Sequence, residues 1–240
     1  MSEYNNQSQV YYGSGETLNQ YITKVFTHMA IGLLITTVIA FDGYLSLTRG
    51  GILLQILSSA PWLIYVIAIA ELGMAFALGF GVSRFSPLTC RILFFGYAAL
   101  TGLTFSTLPL AYGVTTCFTA FLFAAVLFVC CAIIGHTTNV DLTQFRGLLF
   151  GGLMALILVS VISIFVPVLR DSIWIGYLGL ALFLGLTAFD MQKIKNFYYG
   201  TGEGTIRESL AIYAAFQLYL DFINMFLYIL RILGSRSSRK

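Results

Sequence analysis

Seven stretches of this chain run almost free of charge, each about as long as a bilayer-crossing helix. They are residues 25–42, 59–82, 90–111, 114–135, 147–168, 173–195 and 208–233. At a rise of 1.5 Å per residue, about 20 apolar residues cross the roughly 30 Å hydrocarbon core. In lipid the backbone must satisfy its own hydrogen bonds, which restricts such runs to helices. The links between them are too short for a further domain. The expected fold is an all-α integral membrane protein with seven transmembrane helices. Composition agrees, with 58% hydrophobic and 10% charged residues, where a soluble domain carries about 25% charged. The net charge of +3 is scattered through the loops and gives no footprint for nucleic acid.

The flanks are polar. Residues 1–20 (beginning MSEYNNQSQVYYGSGE) read as a disordered tail, 21–234 as the membrane domain and 235–240 as a basic C-terminal tail. The N-terminus lacks the basic-then-apolar layout of a removable signal peptide. Ile52–Ser58 is apolar but too short to span, and is expected at the interface before Pro61 opens the second helix. Pro109 and Pro167 fall near helix ends, where a missing donor costs least.

Loop charge gives the orientation. Lys24, Arg84, Arg91, Arg146, Lys193, Lys195 and Arg207 share one side, against Arg49 and Arg170 on the other. The positive-inside rule makes the first side cytoplasmic. Arg231, Arg236, Arg239 and Lys240 disagree, because seven crossings carry them to the far side. Either the last helix stops short or the loops outweigh the tail. The length of 208–233 favours a full crossing.

Polar residues inside the runs are the candidates for function. In the last run Tyr213, Gln217, Asp221, Asn224, Tyr228 and Arg231 recur at steps of three or four and form one helical stripe. Such a stripe must face protein or a wet cavity, so this helix is expected to be central. Gln217 and Asn224 are explained by interhelical hydrogen bonds worth about 1 kcal/mol each. Asp221 is not, since an ionisable group is an expensive way to join helices.

Asp190 closes the sixth run, one turn after Thr187 and just before Lys193 and Lys195. A plain interfacial salt bridge would also account for it. Counted from the intervening loop, Asp190 lies about 10 Å deep and Asp221 about 20 Å. They meet only if the last helix begins in the cytoplasm. Two carboxylates sharing a site do not both ionise easily, and together they form both a proton sensor and an oxygen ligand set suited to Ca²⁺. Glu71 is the third acid in an apolar run. Gly73, Ala77 and Gly81, with Ala75 and Gly79, recur at spacing four around it and are expected to allow close helix packing. Arg84 ends that helix as a headgroup anchor or an acid's partner.

Elsewhere the sequence is quiet. Cys90, Cys117, Cys130 and Cys131 lie in or beside apolar runs, where cysteine packs as a small hydrophobe. His28 and His136 share no ligand spacing. GTGEG at 200–204 lacks the Lys-Ser/Thr of a phosphate loop. No nucleophile-and-base set stands out, and neither an enzyme nor a bound cofactor is expected.

The stretches YITKVFTHMAIGLL, AELGMAFALGFGVSRFSP, FFGYAALTGLTFSTLPLAY, GLALFLGLTAFDMQKIK and LYLDFINMFLYILRILG resemble the Bax inhibitor-1 family over nearly the whole membrane part. The resemblance implies six helices around a central C-terminal one and a pH-sensitive Ca²⁺ leak with two aspartates as sensor. By motif, those aspartates fall on Asp190 in FDMQKIK and Asp221 in LYLDFIN. The second-helix acid falls on Glu71. The basic latch falls on Arg84, with Arg91 as its neighbour.

The expected function is thus a pH-gated Ca²⁺ leak in a bacterial inner membrane. Asp190 and Asp221 form the sensor and cation ligands, Arg84 the latch, and Glu71, Gln217 and Asn224 the pathway. The competing readings are a cation/proton exchanger, and a stress or cell-death regulator that binds a membrane partner such as a protease. A latch released by protonation and a cation site created by deprotonation give opposite pH responses, and both are open at this stage.

Overall fold

A computed structural model describes residues 16–166 and 172–237. The described chain is helical: α1 (Leu18–Thr48), α2 (Ile52–Ser59), α3 (Leu63–Gly81), α4 (Pro87–Phe105), α5 (Leu108–Tyr112), α6 (Val114–Thr137), α7 (Arg146–Phe165), α8 (Ile173–Gly200) and α9 (Thr205–Ser237). A 3-10 turn over Leu142–Phe145 leads into α7. Seven of these elements are long and apolar enough to cross a membrane, as the runs predicted. Of the tail expected over 1–20, the first fifteen residues lie outside the description. From Leu18 the chain is helical, because Thr17 and Gln20 close a capping box. Pro167, Arg170, Arg239 and Lys240 also lie outside it.

Local chemistry sets the ends. Ser86 caps α4 through the Thr89 amide, with Pro87 in the first turn. Pro61 does not open a helix but sits in a turn, and α3 starts at Leu63. Asp141 accepts from the Thr143 amide (2.9 Å) and hydroxyl (2.6 Å) at the mouth of the 3-10 turn. Those two bonds hold its carboxyl below the usual carboxylate range.

α9 is the axis. Two thirds (67%) of its central window is buried, against 6% for α3 and 0% for α7. It packs on α8, α6, α1 and α4, while α3 packs chiefly on α4 and α7 on α8. Four of the six surrounding helices therefore touch it directly, and α3 and α7 flank them. Lipid tails are as apolar as the helices, so association depends on shape rather than on escape from water. Aromatic rings supply the shape. Phe216 and Tyr219 meet Phe94 and Tyr97 of α4, Phe222 meets Phe121 and Phe128 of α6, and Phe226 meets Phe105.

α9 also runs the full length of the bundle. Gly234 lies against the Tyr112 ring of α5, and Ile232 against Gly176 at the start of α8. Its C-terminal end therefore stands opposite the end carrying Lys24, Arg84, Arg91, Arg146 and Arg207. At that basic end Glu16 pairs with Lys24 (2.7 Å), and the Tyr198 hydroxyl donates to the Glu16 carbonyl (2.7 Å).

The glycines of α3 do not do what the small-residue spacing predicts, although Ala75 packs against the core. A Cβ at Gly73 or Gly79 would meet nothing, and at Gly81 only the Phe85 ring. That face points outward, with Phe76 and Phe80 exposed beside it. Close approach occurs instead on α6, where Ala120, Ala124, Ala132 and Gly135 are buried. A Cβ at Gly135 would collide with the Ala188 backbone of α8. Gly135→Ala should therefore cost about 1–3 kcal/mol and lower the melting temperature of the detergent-solubilised protein by several degrees. Gly73→Ala should leave it unchanged or slightly raised. Equal effects would contradict this packing.

Candidate functional site

Among the described residues, Asp190 and Asp221 are the acids that are buried, at 9% and 4% exposure. They sit on facing sides of the α8–α9 seam. Lys193 Nζ donates to Gln217 Oε1 across the seam (3.1 Å), and the rings of Phe197 and Tyr213 lie 6.5 Å apart. In an antiparallel pair those contacts put Asp190 level with Leu220 and Asp221. The apparent depth difference vanishes because the ends of α8 and α9 are not level. With 33 residues, α9 is about 50 Å long, longer than the roughly 30 Å that a hydrocarbon core requires, and its first turns are polar. The polar start TIRES supplies those turns: Glu208 pairs with Arg91, and Ser209 donates to the Phe85 carbonyl (3.0 Å).

The seam contains few groups. Asp221 interacts with the Asp190 carboxylate, the Thr187 hydroxyl and the Lys193 ammonium. Thr187 is fully buried and donates to the Phe183 carbonyl at 2.8 Å. Lys193 Nζ lies 4.0 Å from Asp190 Oδ1. Its ammonium also stands over the rings of Phe197 (5.5 Å) and Tyr213 (5.7 Å). Asp221 Oδ2 is buried without a hydrogen-bond partner, which in a neutral setting costs about 1–3 kcal/mol. Two buried carboxylates thus lie together, with the partly exposed Lys193 ammonium beside Asp190.

The sequence-derived candidates separate into groups. Asp190, Asp221 and Gln217 come together with Lys193. Asn224 donates to the Leu220 carbonyl of its own helix (2.8 Å) and is half-buried. Arg84 is exposed in the turn after α3 and makes no ion pair among the described residues. Its neighbour Arg91 is committed to Glu208. The cation at Asp190 is instead Lys193, three residues along the same helix, a spacing at which opposite charges meet.

Glu71 lies elsewhere. It accepts from the Thr104 hydroxyl (3.1 Å) and interacts with Tyr97 and Tyr219. Tyr219 and Asp221 are two residues apart, so they point to opposite sides of α9. Glu71 therefore belongs to a second polar cluster between α1, α3, α4 and α9. There the hydroxyls of Tyr219 and Thr36 are hydrogen-bonded at 2.7 Å, and Thr36 donates to the Ala98 carbonyl (2.9 Å). Sequence reading passed over this cluster, because isolated Thr and Tyr in apolar runs carry no distinctive spacing.

The chemistry available is narrow. Among the described residues no third His, Cys, Asp or Glu joins the pair to form a metal cluster. Two carboxylates offer at most four oxygens, and Ca²⁺ takes about 6–8. An ion held by these two groups alone would keep much of its water. Asp190→Asn and Asp221→Asn should be non-additive in thermal stability, with a coupling of about 0.5–3 kcal/mol in a double-mutant cycle. Additive losses would mean that the two side chains do not interact.

The family model described as "Inhibitor of apoptosis-promoting Bax1" matches residues 18–238. The inner membrane protein YbhL of Escherichia coli K12 is 33% identical over 222 residues, covering 91% of this chain and 93% of its own. A protein of Rickettsia prowazekii is 36% identical over 221 residues, with 92% of each chain covered. A membrane protein of Streptococcus pyogenes serotype M3 is 36% identical over 231 residues, covering 95% and 98%. The chain belongs to the Bax inhibitor-1 family.

Proposed function

We propose that this Bax inhibitor-1 family protein is a pH-sensitive cation leak of a bacterial inner membrane. Ca²⁺ is the ion, and the Asp190–Asp221 pair is the gate. The observation that carries the reading is the seam itself: two buried carboxylates at one height, with the Lys193 ammonium beside Asp190. An intramembrane acid without a structural partner for every oxygen is a poor fastener and a good proton or cation site. The YbhL relative is called an inner membrane protein, and the basic loops set this chain's cytoplasmic end.

The arrangement fits a closed state. Asp190 positions Lys193 on its own helix, and from there the ammonium donates across the seam to Gln217 of α9, the bond that ties the two helices. Protonation of the pair removes the charge that holds the ammonium. The tie loosens, α8 and α9 can part, and hydrated cations gain a route past the acids. Lys193 here takes the latch role that the resemblance implied for Arg84. The leak should therefore rise on acidification.

Ca²⁺ entry into proteoliposomes across a pH series tests this. The acid-induced component should fall roughly tenfold or more in Asp190→Asn and Asp221→Asn, a coupling of the size found between linked sites. Lys193→Met should raise the leak at neutral pH. Arg84→Gln should leave it unchanged. Unaltered flux and pH response in both aspartate variants would refute the gate. Accumulation driven by a pH gradient alone would show an exchanger instead.

A further inference from the structure

A second site lies where α7 meets α8 at the basic end. A cavity of about 240 Å³ opens there, lined by Thr143, Arg146, Phe150, Phe189, Lys193 and Asn196. Two cations face it from different helices. Arg146 opens α7, is exposed, and makes no ion pair among the described residues. Its guanidinium lies 5.7 Å from the centroid of the Phe150 ring. Lys193 lines the far wall and has spent one hydrogen bond, on Gln217. The Asn196 amide adds a neutral donor. The acid nearest Arg146 in sequence, Asp141, is occupied by Thr143, and Asp190 stands 4.0 Å from the Lys193 ammonium.

The walls are fixed relative to one another. Gln192 of α8 donates to the Val140 carbonyl (2.9 Å) and accepts from the Leu142 amide (2.8 Å). Lys195 donates to the His136 carbonyl. The segment joining α6 to α7 is thereby fastened onto α8, and it carries Thr143 and Arg146 with it. The apolar floor is Phe150 and Phe189, whose rings meet edge-on. Cationic donors over aromatic walls, at the level where a spanning helix begins, match a phosphate that is joined to an apolar tail.

We propose that this cavity binds the phosphate of an anionic phospholipid headgroup, held by Arg146 and Lys193, with the glycerol and acyl end lying along Phe150. Inorganic phosphate shares the charge but not the tail, so Phe150 adds nothing to its binding. A bound phosphate also competes with Asp190 for Lys193. Occupancy would then bias the gate towards opening, a consequence that rests on the function proposed above, whereas the binding does not.

Lipid adducts on the purified full-length protein, counted by native mass spectrometry, test the binding. Phosphatidylglycerol should bind at least roughly tenfold more tightly than phosphatidylcholine, and Arg146→Gln should remove that preference, as expected when a charge-assisted contact is lost. Arg84→Gln, an exposed arginine at the same end, should not. Asn196→Ala should weaken binding by a smaller factor and decides the matter if Arg146→Gln fails to fold. Displacement of phosphatidylglycerol by equimolar inorganic phosphate would show a free-phosphate site and overturn the lipid assignment. No headgroup preference, or equal losses from Arg84→Gln and Arg146→Gln, would overturn the site. If the binding results hold but leak is equal in phosphatidylglycerol and phosphatidylcholine vesicles, the site stands and its link to the gate fails.

Discussion

A carboxylate deep in a membrane persists only where protein encloses it, and Asp221 meets that condition because α9 runs through the middle of the bundle. Enclosure comes from α1, α4, α6 and α8, whose aromatic and small side chains close around α9. The same packing presses Asp221 against α8, where Asp190 and Lys193 stand at its height. Fold and site are therefore one arrangement. Anything that pushes α8 away from α9 uncovers the acids, and any change in charge on the acids alters what holds the seam.

The polar groups divide by the side of α9 they occupy. One side holds Asp190, Asp221, Lys193 and Gln217, tied by charge. The other holds Glu71, Thr104, Tyr97, Tyr219 and Thr36, linked by hydroxyls. The second set has no cation facing Glu71 among its hydrogen-bond partners. Among the described residues the buried acids are thus confined to one seam. Lys193 stands at the border between the seam and the cavity beneath α7, and one ammonium serves both.

Much of this was legible in the sequence. The seven spans followed from length and hydropathy, and the central place of the last helix followed from the stripe around Asp221. The exact ends were not legible, since capping by Thr17 and the polar start of α9 extend helices beyond the apolar runs. Counting from the loop misplaced Asp190 against Asp221, because helix register is set by side-chain contacts such as Lys193–Gln217 rather than by link length. The α3 glycines misled for a related reason: spacing shows which residues share a face, not whether that face meets a helix or lipid. The resemblance pointed to Arg84 as the latch, whereas the cation beside Asp190 in the structure is Lys193, three residues along the same helix.

The central claim is that proton uptake by the Asp190–Asp221 pair opens the seam. Infrared difference spectroscopy of the protein in bilayers, recorded during acidification, reads carboxyl protonation directly. The account predicts a protonated-carboxyl band that grows over the same pH range as the Ca²⁺ leak and is lost in Asp190→Asn and Asp221→Asn. A leak that rises with no such band, or a band that survives both substitutions, would contradict it.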